Sequence, residues 1–279
     1  AMGSSLAWAN LLTTMGKNVR VAVPDAYPDF LQWLPEAAQV VIRYDKHPDD
    51  VKTLFDKADL VFCLDFNTAS RVEDMQDVLT QSAAPKILID HHLSPDMDGA
   101  ELIVSRPEMC STCELIFRIA WQMGWFGQIN KASATNLYCG MMTDTGAFTY
   151  NSSRPEIFFI IGELLTKGID KDAIYNRVNH NYSVWAIRMR GYIMYQKLNV
   201  YAEEHASFFS LTREEMTKFH FVKGDAEGLV NEPLKIKNMK LSISLREDTV
   251  RDNLIWVSLR SGCGFHCKEM AERFFNGGG

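Results

Sequence analysis

The sequence has no apolar run approaching the roughly 18–20 residues that span a bilayer, which excludes a membrane-crossing helix. It has no basic excess either. Lys and Arg number 29 against 35 Asp and Glu, for a formal net charge of −6 over 279 residues. A protein that coats long nucleic acid would carry a positive field, so that class is set aside. An enzyme acting on a short anionic substrate remains, provided that something local supplies positive charge. Ala1-Met2-Gly3-Ser4-Ser5 has neither the basic start nor the long apolar stretch of a signal peptide. Repeats are absent, and low complexity is confined to the terminal glycines. Cysteine is scarce, with six residues. Cys110 and Cys113 could pair with Cys263 and Cys267 as halves of a zinc site, but the two pairs lie about 150 residues apart and shared spacing is weak grounds for it. Scattered thiols without a signal peptide fit a reducing, cytoplasmic setting.

What is present reads as a globular chain, 47% hydrophobic and 23% charged. Short apolar runs at residues 19–23, 39–44, 60–64, 86–89 and 102–104 read as strands, with amphipathic helical stretches between them. That alternation predicts an α/β fold, a parallel sheet with helices on both faces. A helix over residues 111–125 starts at Ser111, with Glu114 at capping-box spacing. Another enters at Arg154-Pro155 and leaves at Gly168. Residues 183–198 read as a long helix with no strand to follow, taken as the connector. Beyond it the pattern changes. Residues 199–201 and 206–211 suggest a hairpin, 212–219 a short capped helix, and 241–246 a half-buried strand pairing antiparallel with 254–261. A helix over 268–275 closes a smaller α+β unit. The expected domains are thus 1–182, a linker helix 183–198, and 199–279.

Three apolar segments end in acids or imidazoles. Leu60–Leu64 runs into Asp65, Lys86–Ile89 into Asp90-His91-His92, and Met141-Met142-Thr143 into Asp144. The carboxyl ends of strands in an open parallel sheet share one edge, where ligands bind. Asp65 and Asp90-His91-His92 can therefore converge across 25 residues of sequence. Taken singly, Asp65 reads better as a helix cap and Asp144 as a turn residue, since Asp is common in both. Adjacent histidines after a buried strand and an Asp are harder to ascribe to packing. Carboxylates with imidazoles suit divalent manganese or magnesium better than a thiolate-loving metal.

Asp90-His91-His92 at a strand end resembles the signature of the DHH phosphoesterases. Leu64-Asp65 resembles the second motif of that family, and Thr143-Asp144-Thr145-Gly146-Ala147-Phe148 resembles the fourth. Gly3-Ser4-Ser5-Leu6-Ala7 is similar to the residues that follow its first motif. Gly224-Asp225-Ala226-Glu227-Gly228-Leu229-Val230-Asn231, Val257-Ser258-Leu259-Arg260-Ser261 and Gly277-Gly278-Gly279 resemble the DHH-associated domain. The Asp-Ala-Glu-Gly-Leu-Val-Asn segment points to the oligoribonuclease (nanoRNase) and 3′-phosphoadenosine 5′-phosphate phosphatase branch. The family's first motif, with one His and two Asp, is expected upstream of Gly3, and a further His beyond Gly279. Those positions fall outside the chain, so the residues present would half-build a two-metal site.

The resemblance implies a two-metal hydrolase with two Mn2+ ions, or Mg2+ in their place. Asp65 would bridge the metals, with His91 and Asp144 ligating one of them. His92 would face the scissile phosphate, and Asp90 would orient a histidine. Arg260 would clamp a substrate phosphate, and the amides of Gly277, Gly278 and Gly279 would approach it. The expected substrates are dinucleotides cleaved to mononucleotides and 3′-phosphoadenosine 5′-phosphate converted to AMP. No membrane or long duplex partner is expected, a homodimer is compatible, and the linker helix would serve as a hinge. The competing readings are a RecJ-type single-strand DNA exonuclease, a cyclic-dinucleotide phosphodiesterase, an inorganic pyrophosphatase of the superfamily, and a non-catalytic nucleotide-binding regulator.

Overall fold

The computed structural model describes residues 1–222, 224–262 and 265–277. The chain divides into two compact units, Ala1–His180 and Asn181–Gly279. In the first unit the order is α1 (Met2–Thr14), β1 (Val21–Val23), α2 (Ala37–Val40), β2 (Val41–Arg43), α3 (Pro48–Lys57), β3 (Val61–Leu64), α4 (Gln76–Gln81), β4 (Lys86–Asp90), β5 (Leu102–Ser105), α5 (Thr112–Gln122), α6 (Lys131–Asp144), α7 (Pro155–Thr166) and α8 (Lys171–Asn179). All five strands pair in parallel. Among the described residues they form two ladders, β1-β2 and β3-β4-β5, not one continuous sheet. Strands of three residues leave β1 and β2 little length for further pairing.

The alternation of a strand explains how β3 and β4 are covered. Cys63 and Leu88 point into a cluster with Val51 of α3 and Leu79 of α4. Their neighbours Leu64 and Ile89 join the opposite cluster, with Leu6 of α1, Phe117 of α5 and Met141 of α6. Helices therefore lie on both faces. Each such buried side chain contributes roughly 1.5–3 kcal/mol. Helix starts follow their capping residues. Asn130 Oδ1 accepts the Ser133 N–H at the start of α6, and Asp170 accepts from Asp172 and Ala173 at α8. At α5 only half of the expected capping box forms. Ser111 Oγ accepts the Glu114 N–H at 3.1 Å, but the Glu114 carboxylate reaches the Cys110 N–H instead of that of Ser111.

Helices α1 and α6 approach closely where both carry glycine. A Cβ on Gly3 would lie 2.6 Å from the Asn136 carbonyl oxygen and 2.9 Å from the Gly140 Cα, and a Cβ on Gly140 would overlap the Cys113 sulfur of α5. This contact brings the start of α1 to the ends of β3 and α6.

The second unit holds α9 (Val184–Tyr192), β6 (Asn199–Tyr201), β7 (Ala206–Leu211), α10 (Arg213–Lys218), β8 (Leu241–Glu247), β9 (Ile255–Ser261) and α11 (Cys267–Phe274). Helix α9 continues into a π-helical turn over Ile193–Lys197. The sheet order is β6-β7-β8-β9, with both outer pairs antiparallel and β7-β8 parallel. The parallel pair arises because α10 and a 3-10 segment, Leu229–Lys235, make a crossover between them. Phe209, Leu211, Met216, Phe219 and Leu229 pack with Met189 and Ile193 as its core. Among the described residues no helix is long and apolar enough to cross a membrane.

Candidate metal centre

The register of β3 on β4 builds the site. Leu64 pairs with Ile89, so the residues just beyond them, Asp65 and Asp90-His91-His92, leave the sheet side by side. The Asp65 N–H still donates to Ile89 O at 3.2 Å. Asp65 then turns with φ 68°, in the left-handed region that Asp tolerates better than most residues. The two exit loops are tied together, since Asn67 Nδ2 donates to Leu93 O at 2.8 Å. Ligand-capable atoms of Asp65, His91 and His92 all lie within 4.8 Å of one another.

Each imidazole is held through Nδ1. His91 Nδ1 lies 3.2 Å from the Met109 carbonyl oxygen, which can only accept, so the proton sits on Nδ1. Its Nε2 keeps the lone pair and lies 3.6 Å from Asp65 Oδ1. His92 Nδ1 lies 2.7 Å from Oδ1 of Asp90, whose Oδ2 accepts the His92 N–H at 3.1 Å. Asp90 is fully buried and fixes this ring. The same hydrogen bond raises the His92 pKa above its ordinary value, against the burial that opposes it.

Asp65 is withdrawn from water, and burial opposes its ionisation, while the Thr112 hydroxyl and His91 favour it. Thr112 Oγ1 donates to Asp65 Oδ1 at 2.5 Å. Asp144 is the last residue of α6, at the negative end of the helix dipole. Burial and the Asp65 charge push its carboxyl up to about 6. The turn after it is strained, with Gly146, Ala147 and Phe148 at φ 53°, 57° and 63°. Buried Thr145 holds the turn, donating from Oγ1 to Met141 O at 2.7 Å and accepting the Phe148 N–H at 3.0 Å.

These residues fit a divalent cation. Asp65 and two rings whose Nδ1 atoms are already engaged bring ligand-capable atoms within 4.8 Å, while Asp144 is not one of that cluster but lies near enough for the Asp65 charge to disfavour its anion. Among the described residues no thiol belongs to this cluster. Burial, then the Glu114 charge, pushes the Cys110 thiol up to about 12, and burial raises Cys113 well above its ordinary value.

The remaining candidates lie in the second unit. Arg260 is exposed on β9, and its Nη1 donates to Leu259 O at 2.9 Å. The Gly277 N–H donates to Ala271 O at 3.1 Å at the end of α11. Gly278 and Gly279 lie outside the described residues. Thr112 and the Met109 carbonyl were not singled out from the sequence, and Glu114 was singled out only for its capping-box spacing from Ser111.

Parallel strands that deliver Asp and paired His to one edge define a DHH-type phosphoesterase domain. The model of the "DHH family, N-terminal domain" matches residues 1–141, and the chain belongs to the DHH family. The chain is 27% identical over 281 residues to the bifunctional oligoribonuclease and PAP phosphatase NrnA of Thermus thermophilus, covering 100% of this chain and 77% of that protein. It is similar to the crystal structure of an exopolyphosphatase-related protein from Bacteroides fragilis, at 47% identity and a TM-score of 0.93, covering 100% of this chain and 80% of that one. A putative family II inorganic pyrophosphatase from Methanococcus jannaschii shares the fold at 16% identity and a TM-score of 0.51, covering 98% of this chain and 87% of that one.

Proposed function

We propose that the chain is a metal-dependent hydrolase of phosphoester bonds. Its substrates are short oligoribonucleotides, cleaved to mononucleotides, and 3′-phosphoadenosine 5′-phosphate, converted to AMP. The carrying observation is the convergence of Asp65, His91 and His92 within 4.8 Å beside Asp144. The bifunctional oligoribonuclease and PAP phosphatase among its relatives supports the substrate class. Asp65, His91 and Asp144 would hold the cation. Mn2+ is the proposed ion, with Mg2+ as the alternative, because carboxylate and imidazole suit both. A divalent cation held there would polarise a phosphoryl oxygen and acidify water. Asp90 orients His92 and favours its protonated form, so Nε2–H can stabilise charge building on a phosphoryl oxygen. Arg260 supplies a guanidinium for a second phosphate. The Gly277 amide is given to Ala271 O. The free cysteines suit the reducing cytoplasm.

The test is turnover of a diribonucleotide and of 3′-phosphoadenosine 5′-phosphate with Mn2+, using inorganic polyphosphate for comparison. Hydrolysis of both nucleotides is expected. Folded protein that turns over neither overturns the reading, and a preference for polyphosphate replaces it. Asp144→Ala is expected to lower kcat about 100-fold or more. Full activity in that variant would reject the site assignment.

A further inference from the structure

Glu114 is fully buried in the first turn of α5, and both of its carboxylate oxygens are engaged. Oε1 accepts from Arg118 Nε at 2.9 Å and Nη2 at 2.8 Å. Oε2 accepts from Arg154 Nη2 at 2.6 Å and from the Cys110 N–H at 2.8 Å. That last contact links Glu114 to the metal centre. The Cys110 N–H and the Met109 C=O belong to one peptide unit, which is trans. In a trans peptide the two groups point in opposite directions. On the far side, the Met109 carbonyl accepts the His91 Nδ1–H at 3.2 Å. A single peptide group thus joins a buried carboxylate to a ligand-capable imidazole.

We propose that Glu114 is a positioning residue for His91, acting through the Met109–Cys110 peptide to fix the Nδ1–H tautomer and leave Nε2 free for a divalent cation. A negative charge on the N–H side of a peptide polarises its carbonyl into a stronger acceptor, and hydrogen bonds in series reinforce one another. Metal-binding histidines commonly donate their second N–H to a carboxylate or carbonyl, which sets ring orientation and raises ligand basicity. Here the carboxylate acts at one peptide's remove. The two arginines keep it ionised and in place. Arg154 immediately precedes α7 and also touches Met109, its Nη1 lying 3.9 Å from the sulfur. The support for His91 thereby spans α5, the loop before it and the loop after Asp144. If Glu114 served only as an ion pair holding these elements, its loss would lower stability and leave the His91 tautomer unchanged.

The inference rests on His91 being a metal ligand, and the experiment separates the two claims. Histidine-selective 15N spectra of the metal-free protein are expected to show His91 as the Nδ1–H tautomer. A His91 found as the Nε2–H tautomer overturns the inference without any variant. In Glu114→Gln the Nε2–H form is expected to become populated, and Mn2+ affinity measured by calorimetry to fall about tenfold. Arg118→Gln, which leaves the Oε2 contacts intact, is expected to keep the wild-type tautomer. Should Glu114→Gln not fold, Glu114→Asp keeps the charge but draws it back from Cys110, and the same two changes are expected there. A folded variant with wild-type tautomer and affinity overturns the inference. Wild-type protein that binds no Mn2+ instead overturns the metal reading, whatever the tautomer.

Discussion

Glu114 and Asp144 are carboxylates of the same unit, both drawn away from water, and the chain treats them in opposite ways. Glu114 stands in the first turn of α5, where the helix dipole favours an anion. Burial opposes its charge, but the Cys110 N–H and two guanidinium groups hold its carboxyl below the ordinary value. Asp144 stands at the last position of α6, where the dipole disfavours an anion, and faces a second carboxylate. Its pKa is pushed up to about 6. The contrast separates a carboxylate whose charge the chain itself satisfies from one left short of positive charge, a deficit that a cation could supply.

The contrast breaks most severely on the Glu114 side. Glu114→Ala leaves Arg118, Arg154 and the Cys110 N–H without their shared acceptor. A loss of about 2–4 kcal/mol is expected in urea unfolding, tempered because both guanidinium groups are partly solvated. Asp144→Asn is expected to act the other way in metal-free protein. A carboxyl raised from 3.8 to about 6 ionises earlier in the unfolded chain than in the folded one, so stability falls as pH rises through that window. The wild type should therefore lose about 2–3 kcal/mol relative to Asp144→Asn between pH 4 and 7. Unfolding curves across that range with a chelator measure the difference, and Mn2+ should abolish it. The smallest effect is expected from Thr112→Val, which removes one donor from Asp65. It should cost about 1 kcal/mol by thermal unfolding and raise the pH at which Asp65 protonates.

Legibility differed sharply between the parts of the site. The strands ending in Asp65 and Asp90-His91-His92 were readable because an apolar run that stops at charged residues is a local pattern. Their convergence followed from the rule that parallel strands share a carboxyl edge. Asp144 was readable only through its resemblance to a motif, since a helix ending in Asp is common. Met109, Thr112 and Glu114 were not readable in their roles. Thr112 meets Asp65 across 47 residues and Met109 meets His91 across 18, and no periodicity encodes such contacts. The Glu114 spacing suggested a capping box, but its carboxylate was drawn one residue further by Arg154, 40 residues downstream. In the second unit the strands were visible, while the parallel pairing of β7 with β8 depends on a crossover that local pattern does not specify.

The glycine contact between α1 and α6 constrains how the chain can vary. Gly3, Gly140 and Cys113 belong to three different helices, yet each one sets the room available to the others. A larger residue at any of them separates helices whose ends carry Asp144 and adjoin Asp65. Substitutions at these positions will therefore be strongly non-additive, tolerable in compensating sets and not one at a time. The three residues form a single unit of variation, although 137 positions separate the first from the last.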